Sequence, residues 1–144
     1  YLKALQEFAD LCKEKDEDSI KGILPFWTKM YNKLCLVMNK FDKMAIIYLH
    51  LYLDYDWRVR ESTHKAHEVL ICRVGRNIAP YLKQIMPFWL TSQYDSYAPA
   101  SSAAKSSFNS AFPPVKQPDV FVFTKDAIIN VRYFLFINPT NTYF

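Results

Sequence analysis

The chain has 144 residues, 51% apolar and 17% aromatic, enough to build a core and too many for a disordered chain. With only 2 glycines, turn-rich β architectures are a poor fit, and a length of this order suits one domain or a piece of a longer array. A net charge of +4 permits an acidic or nucleic-acid partner without demanding one.

Cys12, Cys35 and Cys72 lie far apart with no CxxC pair, which points to reduced thiols in the cytosol rather than to a disulfide frame or zinc module. The near match to a glycosylation acceptor, Asn138-Pro139-Thr140, has Pro in the forbidden place. No signal peptide is visible, and the longest apolar run, AIIYLHLYL at 45–53, is about half of the roughly 20 residues that a membrane helix needs. The expectation is a cytoplasmic, cytosolic protein with no membrane partner. Tyr1 already sits inside a helical pattern, so the chain is expected to be a fragment.

From the N-terminus, Leu2, Leu5, Ala9 and Cys12 recur at helical spacing. The charged run KEKDEDS (13–19) is a turn, with Asp18 or Ser19 available to cap a helix from about Ile20 to Leu36 that Pro25 should kink. A second unit opens at DYDWRVREST, where Asp54 or Asp56 can cap and Val59, Ala66, Leu70 and Val74 form the buried stripe. Gly75 stops that helix, and Pro80 suits the first position of the next. In a third unit Ala100, Ala104, Phe108 and Phe112 make the stripe, PPVKQP (113–118) breaks it, and residues 119–131 begin the partner helix.

The octets IKGILPFW (20–27) and LKQIMPFW (82–89) share Lys, Ile, Pro, Phe and Trp, which marks an internal repeat. The fold class predicted is all-α, a HEAT/armadillo-type α-solenoid of antiparallel helix pairs. Such units run to about 40–47 residues, yet Pro25 and Pro87 are 62 apart. Taking out the 17 residues of 37–53 leaves 45. We therefore read 1–36 as the first helix pair, 37–53 as an insertion, 54–97 as the second pair, 98–131 as a partial third and 132–144 as a divergent tail. The insertion is either a lineage-specific loop or translated non-coding sequence.

Four constellations are candidates for chemistry. His64 and His67, three apart with Cys72 nearby, have a spacing that zinc ligands use, but their wheel positions diverge and they read as half-exposed helix histidines. Asp54 and Asp56 have no nucleophile, Gly-rich loop or His beside them, so capping explains them better than catalysis. Phe26, Trp27, Phe88 and Trp89 could stack on bases, but their recurrence points to core between repeats. Arg58, Lys65 and Arg73 form a solvent-facing basic arc that Arg76 extends. It is either a phosphate-gripping surface or an ordinary solvated face. Arg60 lies apart and is expected to pair with an acid such as Asp56.

The stretches YLKALQEFADLC…IKGILPFW, LDYDWRVRESTHKA, APYLKQIMPFWLTSQYD and AAKSSFNSAFPPVKQP resemble the N-terminal HEAT-repeat region of the listerin family of RING-type E3 ubiquitin ligases. The resemblance covers roughly 1–36 and 54–131. It departs at 37–53 and after Val131, where the tail RYFLFINPTNTYF no longer matches. A RING needs eight Cys/His ligands in paired spacings, which three scattered cysteines do not supply.

The resemblance implies a docking region. Its parent ligase binds large ribosomal subunits carrying stalled, tRNA-linked nascent chains, together with the companion factor that holds the tRNA. The RING recruits the ubiquitin-charged E2, and zinc belongs only to that missing RING. This chain is expected to hold no cofactor, metal or catalytic residue, with Arg58, Lys65, Arg73 and Arg76 as candidate ribosome contacts. The rival reading is a HEAT scaffold or transport adaptor unrelated to ubiquitin.

Overall fold

A computed structural model describes residues 1–39 and 57–136, and among them every regular element is helical. They are α1 (Leu2–Glu14), α2 (Glu17–Asn39), α3 (Trp57–Val74), a 3-10 segment (Gly75–Tyr81), α4 (Leu82–Ser92), α5 (Ala98–Ala111) and α6 (Gln117–Phe136). None of these helices is long and apolar enough to cross a membrane.

Local chemistry sets the helix ends. Asp16, not Asp18 or Ser19, caps α2: its carboxylate accepts the Ser19 backbone N–H at 2.9 Å and the Ser19 hydroxyl at 2.7 Å. A carboxylate at that position satisfies an otherwise unpaired N–H and meets the positive end of the helix dipole. α2 therefore starts earlier than the apolar pattern suggests. After α3, Gly75 adopts φ 51°, a left-handed value that suits glycine at a helix stop. Pro80 then falls within the 3-10 segment, and α4 begins only at Leu82. The turn before α6 is closed by Lys116 N–H donating to the Pro113 carbonyl at 2.7 Å, so α6 starts two residues ahead of Asp119. Both α2 and α4 continue through their internal prolines, Pro25 and Pro87.

The helices stack in two layers. α3 lies between α1 and α5, and α4 lies between α2 and α6, while α2 also packs on α3 and α4 on α5. Each apolar stripe turns inward. Leu5 and Cys12 are buried from α1, Val59, Ala66, Leu70 and Val74 from α3, and Ala100, Ala104 and Phe108 from α5. This is the quasi-one-dimensional arrangement of a solenoid, in which each unit closes its core on its neighbour.

One ring from every helix forms a continuous aromatic spine. Phe8 stacks on Trp27 with centroids 4.4 Å apart, and Trp27 lies 6.2 Å from His67. His67 meets Trp89 edge to face at 4.4 Å, Trp89 meets Phe108 at 5.6 Å, and Phe108 meets Phe121 at 5.7 Å. The two repeat tryptophans occupy equivalent places. Trp27 and Trp89 are both fully buried, and each indole reaches forward to the first helix of the next unit.

The neighbouring phenylalanines differ from the core expectation. Phe26 is 69% exposed, because one residue of helix rotation turns it away from Trp27, and Phe88 is only partly buried. Of the segment 37–53, residues 37–39 complete α2, and the rest lies outside the described residues, as do Asp54 and Asp56. The backbone of α6 runs past Val131 to Phe136.

Candidate functional site

α3 sits at the centre of the first layer and carries most of the residues that the sequence singles out. Its inward face is polar in an unusual way. Beside Val59, Ala66 and Leu70 it buries Thr63, His64 and His67, and both histidines are fully inaccessible rather than half-exposed. Periodicity explains the correction: the two are three positions apart on α3, so both fall on the side facing α2 and α4.

The buried imidazoles are held by α2. Trp27 Nε1–H donates to His67 Nδ1 at 2.9 Å, and the Tyr31 hydroxyl lies 3.2 Å from His64 Nδ1. Tyr31 also stacks on His67 at 4.1 Å. Each histidine's Nε2 is buried without a hydrogen-bond partner. Burial pushes His64 down to about 4, with Asp95 pulling upward and Arg60 downward. Burial likewise holds His67 well below the ordinary range, and His64 adds to the effect. Both rings are therefore neutral core elements. Cys72 is exposed and does not join them, and among the described residues no group of three His, Cys, Asp or Glu is placed to hold a metal.

The Cys12 and Cys72 thiols are not tuned for attack. Burial raises Cys12, partly opposed by Arg73, and burial with Glu68 raises Cys72. A raised thiol holds less thiolate, the reactive form.

The basic residues divide by role. Arg60 pairs with Asp95 in a fork, Nε to Oδ2 at 2.8 Å and Nη2 to Oδ1 at 2.9 Å, while Asp56, the partner expected from sequence, lies outside the described residues. Asp95 Oδ1 also accepts the Tyr97 backbone N–H at 2.8 Å, so this pair pins the α4–α5 turn to α3. Arg73 donates from Nε to the Cys12 carbonyl at 3.2 Å and from Nη2 to the Lys15 carbonyl at 2.7 Å. It thereby satisfies carbonyls at the C-terminal end of α1, where a cation also suits the dipole. Lys65 Nζ lies 2.6 Å from Glu61 Oε1 across one helical turn. Such exposed pairs contribute little and exchange readily with a stronger anion.

Arg58, Lys65 and Arg76 remain on the outward side, all exposed. At about 1.5 Å per residue, Arg58 and Arg73 are separated by roughly 22 Å along α3. The arc is thus a line of positive groups, not a pocket, and it has no nucleophile or acid–base pair within it.

Two layers of helices joined by buried tryptophans define an all-α, solenoid-like fold. The chain belongs to the listerin N-terminal-domain family: the family described as "E3 ubiquitin-protein ligase listerin, N-terminal domain" matches residues 1–40 and 41–142. It is similar to the E3 ubiquitin-protein ligase listerin of Gallus gallus, 45% identical over 130 residues, covering 90% of this chain and 6% of that protein. The listerin of Mus musculus is 43% identical over 130 residues, with the same coverage of 90% and 6%. That of Drosophila melanogaster is 37% identical over 110 residues, covering 76% of this chain and 5% of the relative. The chain therefore spans about 6% of the length of the chicken and mouse relatives. No solved structure matches it.

Proposed function

We propose that this chain is the docking region of a listerin-like E3 ligase, and that it holds the ligase on large ribosomal subunits carrying stalled nascent chains in the cytosol. The observation that carries the reading is family membership combined with Arg58 and Lys65 on the outward side of α3 and Arg76 on the 3-10 segment just beyond it. Spaced cations on a rigid helix suit an rRNA backbone, whose phosphates bind by charge and release counterions. In this reading a RING elsewhere in the protein holds zinc and recruits the E2, while the helical region supplies position. The tRNA-holding companion factor is the second partner.

Arg73 belongs to the proposed contact only through its outward edge, since its guanidinium already binds the Cys12 and Lys15 carbonyls where α1 ends. The test leaves it intact. Purified large subunits are sedimented with the wild-type chain and with an Arg58→Glu, Lys65→Glu, Arg76→Glu variant across a salt series. Binding that weakens with salt, and a variant slope lower by about one unit per lost phosphate contact, supports the reading. Binding that is identical in the two chains removes the arc from the interface. The chain mixed with E1, E2 and ATP is expected to make no ubiquitin conjugates; robust chain formation would overturn the division of roles.

A further inference from the structure

The two tryptophan joints are alike in geometry and different in chemistry. Trp89 Nε1–H donates to Ser107 Oγ at 2.8 Å, and the Ser107 hydroxyl in turn donates to the Ala104 carbonyl at 2.8 Å. A hydroxyl keeps its acceptor capacity at any ordinary pH. Trp27 Nε1–H instead donates to His67 Nδ1 at 2.9 Å. An imidazole accepts at Nδ1 only while that nitrogen is unprotonated, so the bond fixes His67 as the neutral tautomer with its proton on Nε2. In an imidazolium both nitrogens carry hydrogen. Nδ1–H would then point at the indole N–H, donor against donor.

The surroundings offer the charged form no relief. His67 is fully buried, and its Nε2 has no acceptor. Tyr31 of α2 stacks on it, Trp89 of α4 meets it edge to face, and Phe8 of α1 covers the far side of Trp27. On α3 itself His64 is the titratable neighbour, and the Arg60–Asp95 pair acts on His64. Glu17 of α2, which accepts from Asn77 at 3.4 Å, is an exposed carboxylate on the same seam. None of these is an anion placed against His67.

We propose that the seam between the first and second units is an acid-sensitive hinge: protonation of His67 breaks its bond to Trp27 and loosens α2 against α3, while the Trp89–Ser107 joint holds. α1 remains tied to α3 by Arg73, so the movement opens the first unit without detaching it.

The 144-residue chain tests this directly, because each joint carries one indole N–H whose hydrogen exchange NMR reads separately. From pH 7.5 to pH 5, after correction for intrinsic exchange, the protection of Trp27 should fall by about tenfold for each pH unit below about 6.5, the usual histidine value. Protection of Trp89 should exceed that of Trp27 throughout and fall only with unfolding of the whole chain. His67→Gln retains an acceptor and does not titrate, so it should flatten the Trp27 response, and His64→Gln should leave it in place. Equal loss at both indoles, no loss at either, or a response that follows His64 alone overturns the proposal. If His67→Gln does not fold, the comparison of the two indoles in the wild-type chain still decides.

Discussion

Arg60 and Asp95 close a two-pronged ion pair between helix α3 and the turn that leads into α5, with Nε–Oδ2 at 2.8 Å. The Asp95 side chain is 4% exposed and that of Arg60 20%, so the pair is largely withdrawn from solvent. Removing one partner leaves the other charged and poorly solvated, which for buried pairs costs about 3–5 kcal/mol. Asp95→Ala also strands the Tyr97 backbone N–H. We expect Asp95→Ala to lower the urea midpoint sharply, and Arg60→Met with Asp95→Leu together to restore much of it. A double-mutant cycle measures this; additive losses would show that the two side chains do not act as a unit.

The repeated octet gives a second, discriminating test. Trp27→Ala and Trp89→Ala should each cost about 3–5 kcal/mol, the usual penalty for emptying a fully buried aromatic site. Phe26→Ala, in the same motif but 69% exposed, should change stability by no more than about 0.5 kcal/mol. Thermal unfolding of the three variants checks the ranking. A Phe26 variant as damaged as the tryptophan variants would contradict the placement of the motif.

Much of this was legible in sequence because periodic burial writes itself into spacing. The stripe Val59, Ala66, Leu70 and Val74 and the two recurring tryptophans are buried as the pattern implies. What spacing could not reveal were long-range partners. Asp95 lies 35 residues from Arg60 and Trp27 lies 40 from His67, so no local pattern links either pair. His64 and His67 looked polar enough for the surface, yet they pack against aromatic rings and bond through Nδ1. In the run KEKDEDS several acids could cap α2, and only the backbone path selects Asp16. The basic arc was visible as a charge pattern, but not that Arg73 serves α1.

Global stability should depend on pH with a definite sign. His64 and His67 are neutral in the folded chain, with His64 pushed down to about 4. The unfolded chain takes up protons at both near pH 6.5. Stability is therefore complete above about 6.5 and is lost as pH falls toward 4, by about 1.4 kcal/mol per pH unit for each histidine. Urea midpoints from pH 8 to pH 5 check this. A midpoint that rises on acidification would mean that the rings gain, not lose, a counter-charge on folding.

Arg73 separates a structural role from a docking role. Its guanidinium bonds the Cys12 and Lys15 carbonyls at 3.2 and 2.7 Å, where α1 ends. Charge-assisted bonds of this kind contribute about 1.5–3 kcal/mol, reduced here by the exposure of the side chain. Arg73→Ala should therefore speed amide exchange in the last turn of α1 and lower the melting temperature by a few degrees. Arg73→Lys should recover only part of this, since one ammonium does not reproduce the planar fork. Arg76→Ala, on the 3-10 segment just beyond, should leave α1 exchange unchanged. If Arg73→Ala weakens ribosomal-subunit binding with α1 exchange unaltered, its surface role outweighs its structural one; if α1 exchange rises first, the helix end is its main task.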